Sequence, residues 1–425
     1  MYRLSNTLQE YAWGSPDAIF SMFQWPSTGR PAAELWLGAH PSAPSLTRPI
    51  ELVPGDWSDY RTAAQSDSNS QAIPDACGAS LIALIKSDPD FMLGEDVVER
   101  FGPRLPFLLK VLAADQPLSL QVHPLPHVAR AGFARENAAG LALDHPDRNY
   151  KDDQHKPEMI LALTHFEGLS GFRRPARALE LLEPVAGAAA AAMRAALQAM
   201  PNPKGVEQAF SVALQLRDDP DESQLRSAHE SIEQRVRQLE LAGQRVSRGY
   251  LTALELFQKY PQDPGALVSL LLNRFSLVPG EAVFLGAGQV HAYLQGVGLE
   301  IMASSDNVLR AGLTHKRVDV AELEACTSYV PSPPSRPLLR SGTGGLTEYR
   351  PGVPEFNLMY GSVASHAVVP HVGPRIALCL SGEFTVGSAL GDLGTLKAGE
   401  SAFIPHGVGN IEFTGSGDLS VAYVP

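Results

Sequence analysis

The run from Gly280 to Gln295, Gly-Glu-Ala-Val-Phe-Leu-Gly-Ala-Gly-Gln-Val-His-Ala-Tyr-Leu-Gln, reads as a short β-strand, a glycine-rich turn and the start of a second strand. Gly286 and Gly288 are expected to supply the positive φ values of a tight turn. His291 then stands at a fixed place on a β scaffold, as a metal-binding imidazole must. One histidine in an apolar strand is ordinarily a packed core residue, so the reading needs partners elsewhere.

Two segments supply them. In Ser119-Leu120-Gln121-Val122-His123-Pro124, strand alternation turns Ser119, Gln121 and His123 to one face. In His155-Lys156-Pro157-Glu158-Met159-Ile160, Glu158 opens an apolar, strand-like run. Gln121, His123, Glu158 and His291 make a mixed oxygen and nitrogen set suited to one borderline divalent ion. Zinc is the first choice, and manganese, cobalt or iron can substitute.

Longer matches carry a family resemblance. Val290 to Gly296, Ser305 to Thr314, Gln116 to Pro124 and His155-Lys156-Pro157-Glu158 resemble the motifs of type I mannose-6-phosphate isomerases. So do Tyr11-Ala12-Trp13-Gly14-Ser15 and the run from Ala33 to Pro41. The resemblance runs from about Tyr11 to Tyr329 and extends more weakly to the C-terminus. It implies interconversion of mannose 6-phosphate and fructose 6-phosphate. The reaction would supply mannose 6-phosphate for GDP-mannose and glycan precursors, or pass mannose into glycolysis. It also implies that Arg310 and the Lys156 region are catalytic.

A repeat bears on the fold. From Gly280 the chain reads Gly, five residues, Gly286-Ala287-Gly288, two residues, His291; from Gly399 it reads Gly, five residues, Pro405-His406-Gly407, two residues, Asn410. Both copies resemble the second motif of the cupin double-stranded β-helix. Asn410 occupies the metal-histidine position of the second copy, so that copy is expected to be structural. His366 and His371 are read as ordinary polar residues. The fold expected is mainly β: a cupin-type jelly-roll catalytic domain (1–174 plus 276–330), an α-helical insertion (175–275) and a degenerate cupin-like β domain (331–425). Residues 1 to about 170 read as strands and turns, except for Asn69 to Gly94, where Ala79 to Ile85 is helix-like. Ala178 to Met200 and Glu222 to Tyr260 are rich in helix formers. Asp263-Pro264 reads as the start of a further helix through Leu267 to Phe275.

The chemistry of an aldose–ketose isomerisation can be set against these residues. Moving a proton between neighbouring carbons builds charge on oxygen in an enediolate, which a metal or a positioned cation stabilises. Arg310 is a permanent cation for that task. Lys110, Lys156 and Ser119 are expected to contact phosphate or sugar. Glu300, Asp306 and His155 are candidates for proton transfer or ring opening. A lysine inside the apolar run Phe107 to Leu112 must face a polar site or be costly to bury. Trp13 and Trp36 read as packing residues, and Glu34 stays outside the catalytic set. A cupin Fe(II) oxygenase would use similar ligands, but nothing in its chemistry explains lysines beside the metal. A non-enzymatic sugar-binding cupin would not need Lys156, Glu158 and Arg310 together.

The net charge of −12 over 425 residues argues against nucleic-acid or anionic-membrane surfaces. No apolar run of about 20 residues and no basic-then-apolar leader is present, so neither a membrane span nor a signal peptide is expected. Cys77, Cys326 and Cys379 are odd in number and scattered, which fits a reducing cytoplasm. The partner expected is a small phosphorylated sugar, and the expected state a monomer, with a dimer as the alternative.

Overall fold

Strand Phe107–Ala114 is buried along its whole length, so both of its faces are covered. It runs antiparallel to Glu34–Gly38 on one side and to His291–Ala303 on the other. His291–Ala303 pairs in turn with Glu158–Ala162, which pairs with Ala282–Leu285. Alternate residues of these strands therefore share a face. Trp36, Lys110 and Glu300 lie opposite one another across one face, with Ile160 beyond them. Leu35, Val111, Leu299 and Leu161 form the other face and join a core with Ile376, Leu378 and Phe403 of a second sheet. The N-terminal part of His291–Ala303 leaves this arrangement to pair with Leu120–Val122 and Phe166–Phe172. One long strand thus links both walls of a ten-stranded antiparallel jelly-roll.

This computed structural model describes residues 1–48, 78–217, 223–370 and 373–425. Cys77, His371 and the part of the expected Asn69–Gly94 segment up to Cys77 lie outside the described residues. The helix expected from Ala79 forms at Leu81–Ser87, capped by the Ser80 side chain.

Helices Pro175–Leu182, Ala188–Ala199, Pro203–Gln215, Ser223–Leu241, Arg248–Lys259 and Gly265–Ser269 form a layer whose apolar faces share a core with Leu169, Ala292 and Leu309 of the first sheet. Pro175 and Pro203 sit in first helical turns, where the missing N–H costs nothing. Two sequence expectations need correction. The helix read through Leu267 to Phe275 stops at Ser269, and Leu272–Leu277 is a strand paired with Phe166–Phe172. Leu267, Val268 and the leucines at 270–272 make a short apolar cluster, where periodicity alone does not separate a buried strand from a helix. Conversely, Pro126–Ala138 and Glu95–Phe101 are helical within a region read as strands.

The second sheet has eleven strands and includes most of the C-terminal third. Its pairing crosses the expected domain boundary: Tyr2–Ser5 lies between Ser401–Ile404 and Leu46–Arg48. The sequence repeat has a conformational counterpart, since Gly280 and Gly399 adopt φ 85° and 82°. In the second copy, fully buried Arg375 donates to the carbonyls of Pro405 and Gly409, on either side of the turn before Asn410.

Candidate active site

Strand Leu120–Val122 lies between the start of His291–Ala303 and strand Leu309–Gly312, and its register places Gln121 opposite His291 on one side and Arg310 on the other. His123 follows two residues later. The glycine turn fastens the two segments, because Gly288 N–H donates to the His123 carbonyl at 2.8 Å. Gly288 has the left-handed conformation, φ 78°. Gly286, expected to share that role, does not, and one left-handed residue suffices for the turn.

His123, Glu158 and His291 are fully or almost fully buried, and one potential ligand atom from each lies within 4.8 Å of the others. The hydrogen bonds fix the imidazole tautomers. His123 Nδ1 is 2.8 Å from the Asn307 carbonyl, and His291 Nδ1 is 2.8 Å from the Gln289 carbonyl. A carbonyl only accepts, so both Nδ1 atoms carry the proton and both Nε2 atoms present lone pairs. Those lone pairs face the Glu158 carboxylate, at 3.2 Å and 3.3 Å. Burial also pushes His123 below the ordinary imidazole pKa, which favours the neutral, ligating form. With both imidazoles neutral, two nitrogen lone pairs and a carboxylate converge, the arrangement a cation stabilises. Two imidazoles and a carboxylate fit a single divalent ion, and the strand register puts Gln121 opposite His291.

Lys156 reaches the same carboxylate, with Nζ 2.8 Å from Glu158 Oε1. Burial alone would raise the Glu158 carboxyl, but the Lys156 ammonium beside it outweighs burial and holds it well below the usual range. A second charged group lies on the same face of the sheet. Lys110 Nζ is 2.9 Å from Glu300 and 3.4 Å from Glu34, and it stands 5.1 Å above the Trp36 ring. Trp36 Nε1 donates to Glu34 at 2.7 Å. Burial opposes the Lys110 charge, yet Glu300 and Glu34 raise its pKa. Burial and Glu300 in turn raise Glu34, despite Lys110.

The remaining expected residues divide. The Arg310 guanidinium is half-buried, has no hydrogen-bond or ion-pair partner among the described residues, and is lowered in pKa by burial. Asp306, one of the expected proton-transfer candidates, lies 3.4 Å from His40 Nε2. Ser119 is half-buried and hydrogen-bonds to no described residue. His155 turns to Glu355 of the C-terminal third, 2.7 Å away.

Comparison with known proteins rests on the whole chain. Residues 1–86 and 57–175 match the family Phosphomannose isomerase type I, catalytic domain. The mannose-6-phosphate isomerase of Escherichia coli K12 is 36% identical over 426 residues, covering 100% of this chain and 99% of its own. The chain belongs to the type I phosphomannose isomerase family. Mannose-6-phosphate isomerase 1 of Arabidopsis thaliana is 32% identical, covering 99% and 92% of the two chains. A mutant phosphomannose isomerase from Salmonella typhimurium superposes with a TM-score of 0.85 at 35% identity, covering 100% of this chain and 99% of that one. A zinc-bound mannose 6-phosphate isomerase gives 0.83 at 35% identity, with the same coverage.

In this phosphomannose isomerase family member, sequence reading overlooked several groups at the site. Glu34, outside the expected catalytic set, stands two residues before Trp36 in one strand, which puts both on the Lys110 face. Asn307, 1% exposed, is absent from the expected site set. Its side chain accepts from Lys151 N–H at 2.7 Å and donates to the Asp152 and Gln154 carbonyls, both at 2.8 Å. It therefore fastens the loop before Lys156 while its own carbonyl orients His123. Lys316 lies near Arg310, whose charge lowers its pKa ahead of burial.

Proposed function

We propose that this chain interconverts mannose 6-phosphate and fructose 6-phosphate with one zinc ion held by Gln121, His123, Glu158 and His291. The observation that carries the reading is the pair of imidazole Nε2 atoms facing Glu158, with Arg310, unpartnered among the described residues, opposite Gln121 on the next strand. When bound, zinc supplies Lewis-acid stabilisation of oxyanion charge at the reacting carbons.

The protein groups take the other tasks. Arg310 has no acid of its own among the described residues, so its charge is available to the enediolate. Lys156 sits 2.8 Å from Glu158, at the same end of the site. Lys110 is committed to two carboxylates, and a role in positioning sugar hydroxyls suits it better than phosphate capture. Phosphate binding is assigned to Ser119 and exposed Lys316, beside Arg310. Glu300 and Asp306 are the carboxylates of the expected set left for proton transfer, with His40 3.4 Å from Asp306.

We assign residues 1–174 with 276–330 to the catalytic barrel, 175–275 to the helical insertion and 331–425 to the second barrel, which borrows the N-terminal strand. The protein is proposed to work as a cytoplasmic monomer on a small sugar phosphate, without nucleic-acid or membrane partners. Buried free Cys326 and Cys379 support a reducing compartment. A coupled assay for fructose 6-phosphate tests the activity. Mannose 6-phosphate should be turned over and glucose 6-phosphate should not; no turnover of mannose 6-phosphate would refute it.

A further inference from the structure

We infer that Glu355 is a positioning residue for the isomerase site and acts through His155; the inference rests on the activity proposed above. Glu355 precedes strand Asn357–Val363 of the second sheet, yet its carboxylate lies 2.7 Å from His155 Nε2. It is 7% exposed, and His155 is its only side-chain partner among the described residues. Its backbone is anchored on both sides. Phe356 is fully buried in the core that the two sheets share, and Arg100 Nη2 donates to the Pro354 carbonyl at 3.0 Å.

His155 immediately precedes Lys156. The chain before it is fastened by Asn307 to Asp152 and Gln154, and the chain after it enters the sheet at Glu158. Pro157 contributes no N–H and confines Lys156 to extended backbone. Between these anchors, the His155 ring is held by Glu355. A carboxylate bonded to one imidazole nitrogen fixes the ring's orientation. The second barrel thereby sets the backbone from which Lys156 reaches Glu158. Small displacements of such a group reduce turnover more than binding.

The test uses the zinc-loaded, full-length enzyme and the variants Glu355→Ala, Glu355→Gln, His155→Ala and the double alanine variant. Glu355→Ala should lower kcat about 10-fold, with KM within about twofold and one zinc per chain retained. Glu355→Gln keeps an acceptor of the same size and should restore most of the loss. The double variant should match His155→Ala alone, because both substitutions break one contact. Should Glu355→Ala fail to fold, Glu355→Met preserves volume without the hydrogen bond and takes its place. Unchanged kcat in the alanine or methionine variant, or losses that multiply in the double variant, would overturn the inference. A wild-type enzyme without isomerase activity would instead overturn the reading beneath it.

Discussion

Lys110 and Glu300 occupy directly opposed positions on neighbouring strands, with Nζ 2.9 Å from the carboxylate and both side chains buried. Glu34 adds a second acid at 3.4 Å. Each charge lies where water cannot solvate it, so each depends on the others. The face of the sheet that carries them also carries Glu158. Charge lost at one point of this face leaves an uncompensated ion beside the metal ligands.

Lys110→Met should therefore destabilise the fold by about 3–5 kcal/mol, the scale for breaking one side of a buried ion pair. The folded protein raises the Lys110 pKa above its ordinary 10.5. The stabilisation is thus fully present below 10.5 and falls as pH rises beyond it toward the folded value. Urea unfolding of wild type and variant should give equal gaps at neutral pH and at a mildly alkaline pH below 10.5, and a smaller gap above it. A gap under about 1 kcal/mol, the range of an exposed pair, would show that the contact is solvent-screened.

Asn307→Ala removes the side-chain bonds to Lys151, Asp152 and Gln154. The carbonyl that orients His123 belongs to the same residue. Zinc affinity should fall about 10–100-fold, as it does when a group supporting a metal-bound histidine is lost. Competition with a chelator of known affinity measures this. Unaltered affinity would mean that the loop holds its shape without Asn307.

Arg310→Ala separates charge stabilisation from substrate binding. If the guanidinium acts on the enediolate, kcat should drop about 100-fold or more, the scale for removing one preorganised donor. KM should change far less, because the ground state carries less charge at that oxygen. Normal turnover with a raised KM would make Arg310 a phosphate ligand like Lys316.

Much of this was legible in the sequence because β alternation is local. Gln121 and His123 share a strand face by spacing alone, and an apolar run around Lys110 forces its charge toward a polar site. What the sequence hid depends on pairing between distant strands. Nothing near Glu34 shows that Lys110 will lie diagonally across from it, so Glu34 read as ambiguous. Asn307 gives no local signal because its partners, at 151–154, are about 150 positions away. Leu272–Leu277 took its strand form from Phe166–Phe172, against a locally helix-like start at Asp263-Pro264. The His155 contact required knowing that the second sheet packs against the first.

The central claim, that Gln121, His123, Glu158 and His291 hold the ion on which isomerisation depends, has one direct measurement. Metal-free enzyme is titrated with zinc while bound metal and fructose 6-phosphate formation are followed together, for wild type and His291→Ala. Wild-type activity should rise in proportion to zinc and level off at about one ion per chain, the stoichiometry of a single site of this type. His291→Ala should remain folded by circular dichroism, bind zinc far more weakly and stay inactive. Full zinc occupancy in His291→Ala, or wild-type turnover that persists in the metal-free enzyme, would contradict the account.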